Sequence, residues 1–460
     1  MLFLCLIVYM SYFELHGKES IMANNYNRRL KANEEGILRG QIFDRNGEIL
    51  ATTKVVEGIS SRSYPYKKLY AHIIGYNSTI YGKTLLEAQF NDTLLGINAL
   101  GLIGNTVSLV TGEDKTGNNL ILTIDHNLQA LARELIGNNR GSIVAIDPKT
   151  GEILAMVSTP DFNPNEQALE DNWAELSINE NSPLLPRAVV GLYPPGSTFK
   201  VVTAVSAIEE GLNDFKVEDT GSVVIDGKTF SNAGNKVYGE LDMTAAMALS
   251  SNVYFSKLTE VMDAGGLVKT AENAGLNKNI NFDIPTNKSS INRDIKSKTE
   301  FAATAIGQGK LLVTPLQMAL ICSGIANDGI IMNPYLVKSI SDKNNTILTN
   351  TLSKKLYTFT DSKTATLVKE MMIEVVKVGT GTKAALSEVV VAGKTGTAQN
   401  EKSIEDGGND HAWFIGFAPA EDPEIAIAVI LENQSKDGGQ IAAPIARKII
   451  SEWLRSIKNK

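Results

Sequence analysis

The chain has 460 residues, enough for two or three domains with a sizeable core. Hydrophobic residues make up 43% and charged residues 21%, an ordinary globular balance, and a net charge of −7 gives no reason to expect a nucleic-acid partner. Four scattered histidines and two cysteines, Cys5 and Cys322, form no metal-ligand cluster and no expected disulfide, so no metal or cofactor is expected.

Met1 to Phe13 is apolar and uncharged, and its 13 residues fall short of the ~20 that cross a bilayer as a helix. No basic run precedes it and no A-x-A site follows, so a cleaved signal peptide fits poorly. Residues 1–20 are expected to be a membrane anchor that lacks its first residues, with a buried apolar element as the alternative. Asn24 to Glu35 is polar and reads as a helix or linker. In Arg39 to Ala51, two alternating runs around Asn46-Gly47 predict a β-hairpin. Arg62 to Tyr76 and Lys83 to Leu95 read as irregular and helical segments, and Ile121 to Ile124 as a strand. Asp125 is a good N-cap for a helix to about Ile136, closed by Gly137. A boundary is placed there, which divides the chain into 1–20, 21–124 and 125–460.

The second part opens with a hairpin, Ser142 to Val157, turning at Lys149-Thr150-Gly151. Pro194-Pro195-Gly196 stops any earlier element and opens a helix from Ser197 to about Glu210, ahead of Gly211. Thr244 to Leu249 and Val253 to Met262 are helix-like. Thr314 and Pro315 mark the cap and first position of another helix. Strands are expected at Glu388 to Ala392, Ala412 to Phe417 and Glu424 to Leu431, then a final helix over Ala442 to Ile457 with Trp453 as core anchor. A sheet with helices on both faces would bury these elements, with Cys322 in the core.

Ser197-Thr198-Phe199-Lys200 is the only S-x-x-K in the chain. On a helix, residues three apart share a face, so Lys200 lies beside the Ser197 hydroxyl. A serine hydroxyl is a weak nucleophile until a neighbouring base takes its proton. A lysine is such a base once desolvation or nearby positive charge lowers its pKa. Most S-x-x-K pairs are surface pairs without chemistry, but two further motifs follow in order. S-x-N occurs at Ser177, Ser250 and Ser290, and only Ser250 lies between two helix-like segments. K-T-G occurs at Lys115, Lys149 and Lys394. The first two sit in polar turns, whereas Lys394 follows Val389-Val390-Val391-Ala392, a β-branched run that reads as a buried strand. The ordered set of S-x-x-K, S-x-N and K-T-G characterises penicillin-binding proteins and class A β-lactamases. Gly-Lys-Thr at Gly82, Gly227 and Gly393 lacks the earlier glycine of a phosphate loop, and no G-x-S-x-G nucleophile elbow exists. His411 and Trp413 read as surface or packing residues. By themselves these residues indicate acyl transfer through a covalent intermediate and do not name the substrate.

Nearly the whole chain resembles the class B penicillin-binding proteins, the monofunctional D,D-transpeptidases of peptidoglycan synthesis. Arg39 to Ala51 looks like the R-G-x-I-x-D-R-N-G-x-x-L-A signature of their N-terminal pedestal. Tyr64-Pro65 and His72 to Tyr76 fit the same module. Gly307-Gln308-Gly309, Thr314 to Ala319 and His411 to Pro419 fit the transpeptidase domain. The resemblance implies an α+β chain, with a five-stranded antiparallel sheet and helices on both faces in the penicillin-binding, serine β-lactamase-like domain. In that family's terms Ser197 attacks the D-Ala-D-Ala carbonyl of a donor stem peptide and Lys200 is its general base. Ser250 relays a proton to the leaving D-Ala, helped by Lys394. Asn252 holds the substrate amide and orients Lys200. Lys394 to Thr397 lie on the strand beside the central helix that Ser197 and Lys200 start; Lys394 supplies positive potential, Thr395 and Thr397 bind the substrate carboxylate, and Gly396 lies between them. The amides of Ser197 and Thr397 form an oxyanion hole, whose donors typically contribute ~3 kcal/mol each to lowering the barrier. The acyl-enzyme then passes to an amine of a neighbouring stem peptide, and β-lactams acylate Ser197 as donor mimics. The implied setting is the cell membrane, with the catalytic domain outside the cytoplasm and a SEDS-type glycosyltransferase as partner in cell shape or division. A β-lactamase, a D,D-carboxypeptidase or an acylatable sensor remain alternatives, and the pedestal-like segment disfavours the first two.

Overall fold

The computed structural model describes Tyr9 and residues 37–56, 59–97, 115–399 and 409–458. Apart from Tyr9, the Met1–Phe13 stretch lies outside these residues, as do Cys5 and the Asn24–Glu35 segment. The first hairpin forms where turn chemistry demands it. Strand β1 (Ile42–Phe43) pairs antiparallel with β2 (Ile49–Val56), and Gly47 takes the φ of 92° that its tight turn needs. The Asp44 carboxylate accepts the Asn46 and Glu48 amides at 2.8 and 2.7 Å, which pins the turn. Strand β3 (Ile59–Ser63) extends this sheet beside β2, and β4 (Asn119–Leu122) runs parallel to β1. Beyond β4 the sheet recruits two strands from far along the chain, Val337–Ser341 and Ile347–Asn350. This six-stranded sheet therefore crosses the boundary near residue 124.

Helix α1 (His126–Ile136) begins at Asp125, whose carboxylate accepts the Asn127 and Leu128 amides, and ends at Gly137 with φ 58°. Strands β5 (Gly141–Ile146) and β6 (Ile153–Thr159) form the expected second hairpin. A short 3₁₀ turn, Gly196–Phe199, leads into α2 (Lys200–Glu209). Helices α3 (Met243–Leu249) and α4 (Asn252–Leu258) flank Ser250. Helix α5 (Pro315–Ala326) is capped by the Thr314 hydroxyl and is buried along its whole length, as an apolar-all-round helix must be. The last elements are β7 (Ala392–Ala398), β8 (Asp410–Ala418), β9 (Ile425–Gln434) and α6 (Gly438–Lys458).

Strands β6, β5, β9, β8 and β7, in that order, make the expected five-stranded antiparallel sheet. Period-two alternation sorts its side chains onto two faces. Ile143, Ala145, Phe414 and Ile427 join Leu128 of α1 and Ile449 and Trp453 of α6 in one core. Val144, Ile146, Trp413, Ile415 and Ala428 join Leu316 and Leu320 of α5 and Val201 of α2 in the other, which also holds Cys322.

One strand lies elsewhere than predicted. The β-branched run before Lys394 is not paired into the sheet, and Val390 is 47% exposed. Pairing begins at Ala392, opposite Phe417 near the end of β8, so the strand starts where Glu388 to Ala392 was expected to end, and Lys394 to Thr397 lie on it as expected. Strand propensity marked the neighbourhood, but the partner strand decided the register. Among the described residues, no helix is long and apolar enough to cross a membrane.

Candidate active site

The S-x-x-K serine sits in a clamped turn. Gly196 has φ 54°, and a Cβ there would lie 2.6 Å from the Thr397 carbonyl oxygen of β7. Gly307 has φ 81°, and a Cβ there would lie 1.9 Å from the Gly196 carbonyl oxygen, while the Gly196 amide donates to Gly307 O at 2.9 Å. Two glycines thus let a strand and a loop close on the turn from opposite sides. The predicted helix start differs slightly: Ser197 lies in the 3₁₀ turn, and the α-helix begins at Lys200. In a 3₁₀ turn residues three apart eclipse, which keeps Lys200 on the Ser197 side.

Ser250 links the other two motifs. It occupies the left-handed region at φ 58°, uncommon for a residue with a Cβ. That turn presents both its carbonyl and its hydroxyl to lysines. Lys200 Nζ donates to Ser250 O and to Asn252 Oδ1, each at 2.7 Å, with Ser250 Oγ at 3.3 Å. Lys394 Nζ donates to Ser250 Oγ at 2.8 Å and to Thr395 O at 3.0 Å. Both lysine side chains are fully buried. Burial, then the charge of Lys394, holds Lys200 well below the usual lysine range, against an opposing pull from Asp219. Burial brings Lys394 down to about 7.

Above the lysines an open cleft of about 1350 Å³ is lined by Ser197, Ser250, Asn252, Thr395, Gly396 and Thr397. All three motifs therefore converge on one site. Thr397 is exposed to the cleft, and the Thr395 hydroxyl pairs with the Thr380 hydroxyl at 2.6 Å. Gly396 packs against the nucleophile turn, since a Cβ there would meet Thr198 at 3.0 Å. The decoy Lys149 is a surface residue paired with Asp422 and Glu424 at 2.6 and 2.8 Å.

Several site residues carried no sequence signal. Thr380 reaches the site from a loop, and Glu432 accepts from Arg187 at 2.7 Å and from the Tyr193 hydroxyl at 2.8 Å. Trp413 donates to the Pro194 carbonyl at 3.1 Å, so its packing role also steadies the nucleophile turn. His411 packs edge-on to Tyr193, with ring centroids 5.5 Å apart, as a packing residue would. Among the described residues, no group of histidine, cysteine or carboxylate side chains could hold a metal ion.

A serine that shares one cleft with the S-x-N and K-T-G motifs, two desolvated lysines bonded to that cleft's Ser250, and a five-stranded sheet define the penicillin-binding class of acyl-serine transferases. The penicillin-binding protein transpeptidase domain matches residues 141–451, and the penicillin-binding protein A dimerisation domain matches residues 39–120. The chain belongs to the penicillin-binding protein transpeptidase family. It is 33% identical to the peptidoglycan D,D-transpeptidase PbpA of Mycolicibacterium smegmatis, over 96% of this chain and 94% of that protein. It is 32% identical to the peptidoglycan D,D-transpeptidase MrdA of Acinetobacter baumannii, over 88% of this chain and 67% of that one. Penicillin-binding protein A of M. tuberculosis, solved as a penicillin G acyl-enzyme complex, superposes with a TM-score of 0.85 at 31% identity, covering 91% of this chain and 99% of that one.

Proposed function

We propose that this protein is a peptidoglycan D,D-transpeptidase that cross-links stem peptides through an acyl-enzyme on Ser197. The observation that carries the proposal is the bonded chain Lys200–Ser250–Lys394, with Asn252 closing it, whose Ser250 and Asn252 line the same cleft as Ser197. Lys200, kept low by burial and by its cationic neighbour, takes the Ser197 proton as Oγ attacks the penultimate D-Ala carbonyl. The amides of Ser197 and Thr397 hold the oxyanion. Ser250 passes a proton to the departing D-Ala nitrogen, drawing on Lys394 across their 2.8 Å bond. Asn252 orients Lys200 and holds the substrate amide. The Thr395 and Thr397 hydroxyls bind the substrate carboxylate, whose charge would raise Lys394 again and keep it cationic. An amine from a second stem peptide then attacks the acyl carbonyl, forms the cross-link and frees Ser197.

In this reading residues 1–20 anchor the chain in the membrane, 21–124 form the pedestal and 125–460 the catalytic domain, facing away from the cytoplasm. A SEDS-type glycosyltransferase would supply the glycan strands. The apolar, uncharged Met1–Phe13 segment supports the anchor. Intact mass during incubation with a penicillin tests the chemistry. The expected result is one lasting adduct in the wild type and none in Ser197→Ala. An adduct retained by Ser197→Ala would remove the nucleophile assignment. An adduct that decays while drug is consumed would indicate a β-lactamase.

A further inference from the structure

A buried carboxylate stands one layer behind the S-x-N loop. Asp219 ends the short strand Val217–Asp219 and is fully buried. Its bonding partners are neutral donors: the Gly221 amide at 2.8 Å, Asn232 Nδ2 at 2.8 and 2.9 Å, and Ser251 Oγ at 2.5 Å. Both side-chain partners lead to the loop. Ser251 is the middle residue of the motif, and its Oγ accepts the Tyr254 amide at 2.9 Å. Asn232 Oδ1 accepts the Asn252 and Val253 amides at 2.8 and 3.2 Å. Three of the orphan amides that open α4 are thus held by two side chains, both tied to Asp219.

The directions of these bonds close on one arrangement. Ser251 Oγ accepts from Tyr254, so its own proton goes to Asp219. Asn232 accepts through its oxygen, so its NH₂ faces Asp219. Position 219 must accept at both oxygens, which a carboxylate does and a carboxamide cannot. The same segment also steadies Asn252 directly, since Asn252 Nδ2 donates to Ser231 O at 2.8 Å while Oδ1 receives Lys200.

We infer that Asp219 is a positioning residue for acylation: through Ser251 and Asn232 it sets the loop that carries Ser250 and Asn252 onto Lys200, and it supplies the negative charge that faces Lys200. The charged groups facing Lys200 are Lys394, from β7, and Asp219, from the strand beside the loop, and they act in opposite directions. Tyr238 also lies within reach of the Asp219 charge.

The inference rests on acylation of Ser197. Wild-type acylation therefore tests that reading, and the ratio of variant to wild type tests this one. The experiment follows acylation of the full chain by a chromogenic cephalosporin across pH, with the Tm of each variant. Asp219→Asn keeps the size, turns an NH₂ against a row of donors and removes the charge. Its acylation rate is expected to fall roughly 10²-fold, the cost of a small displacement near the reacting groups. The acid limb of its profile is expected to move to lower pH, because Lys200 sheds its proton more readily without the facing carboxylate. Ser251→Ala breaks one link and keeps the charge, so its rate falls while the limb stays. A folded Asp219→Asn with the wild-type rate overturns the inference, and so does a rate loss with an unmoved limb. If Asp219→Asn melts below the assay temperature, Ser251→Ala and Asn232→Ala decide, and wild-type acylation in both overturns it.

Discussion

A lysine in water titrates near ~10.4 and is fully charged at neutral pH, useless as a base. Burial changes that for Lys200 and Lys394, and Lys394 adds to the effect on Lys200. Lys200→Ala should slow acylation by roughly 10²–10⁴-fold, the usual worth of general-base catalysis, while a rate near wild type would mean another base serves Ser197. The charge on Lys394 makes a separate prediction. It is present below about 7 and lost as pH rises through that value. The second-order acylation rate for a penicillin should therefore fall on the alkaline side from about 7, since this constant reports groups of the free enzyme. The methyl ester of the same penicillin has no carboxylate for Lys394 to hold. Its profile should keep only the part of that limb that comes from the proton relay through Ser250, and equal limbs for acid and ester would contradict the electrostatic role.

Elements with local punctuation formed as read. Asp125 and Gly137 bound α1, Thr314 and Pro315 open α5, and Asn46-Gly47 turns the first hairpin. Caps and turns are satisfied by groups two to four residues away, so the information sits in the segment itself. The start of strand β7 was set several residues too early because its register depends on β8, which is separate in sequence. The clamp on the nucleophile turn was invisible for the same reason. Gly307 is far from Gly196 in the chain, yet any side chain there would collide with the Gly196 carbonyl. Gly307→Ala should displace the turn from β7, cut acylation by about 10²-fold and lower Tm together. Wild-type acylation by that variant would show that the clamp has slack.

Across the whole molecule, the segment matched to the dimerisation domain and the catalytic part share a sheet and several side-chain bonds. Leu120 of β4 pairs with Ile340, and Arg45 reaches Glu152 at 2.6 Å while lying 5.3 Å from the Trp453 ring centre. Within the first segment, fully buried Glu87 joins Arg39 and Arg62 at 2.6 and 2.7 Å and accepts the Tyr64 hydroxyl at 3.1 Å. Burial alone would push the Glu87 carboxyl up, but the two guanidiniums and their hydrogen bonds outweigh it and hold it below the usual range. Below the ordinary carboxylate value of ~4.3 the unfolded chain takes up the proton first. This contribution to stability is therefore complete above that value and is lost as pH falls through the folded one. Glu87→Ala would strand two buried guanidiniums and should cost about 3–5 kcal/mol, read as a lower urea midpoint. An unchanged midpoint would show that water reaches the cluster.

What the sequence determined by itself was the chemistry and its parts. One S-x-x-K, followed in order by S-x-N and K-T-G, marked residues that the fold brings to one cleft. Caps and turns marked the helices, and Trp453 and Cys322 were assigned to the core where they lie. Only the tertiary structure decided how those parts act together. It placed Lys394 and Ser250 within 2.8 Å of each other across 144 positions, and it buried both lysines. It also brought Asp219, Thr380 and Glu432 behind or beside the motifs. Burial and hydrogen-bond partners depend on which distant segments arrive at the same place, and a local pattern carries no record of that.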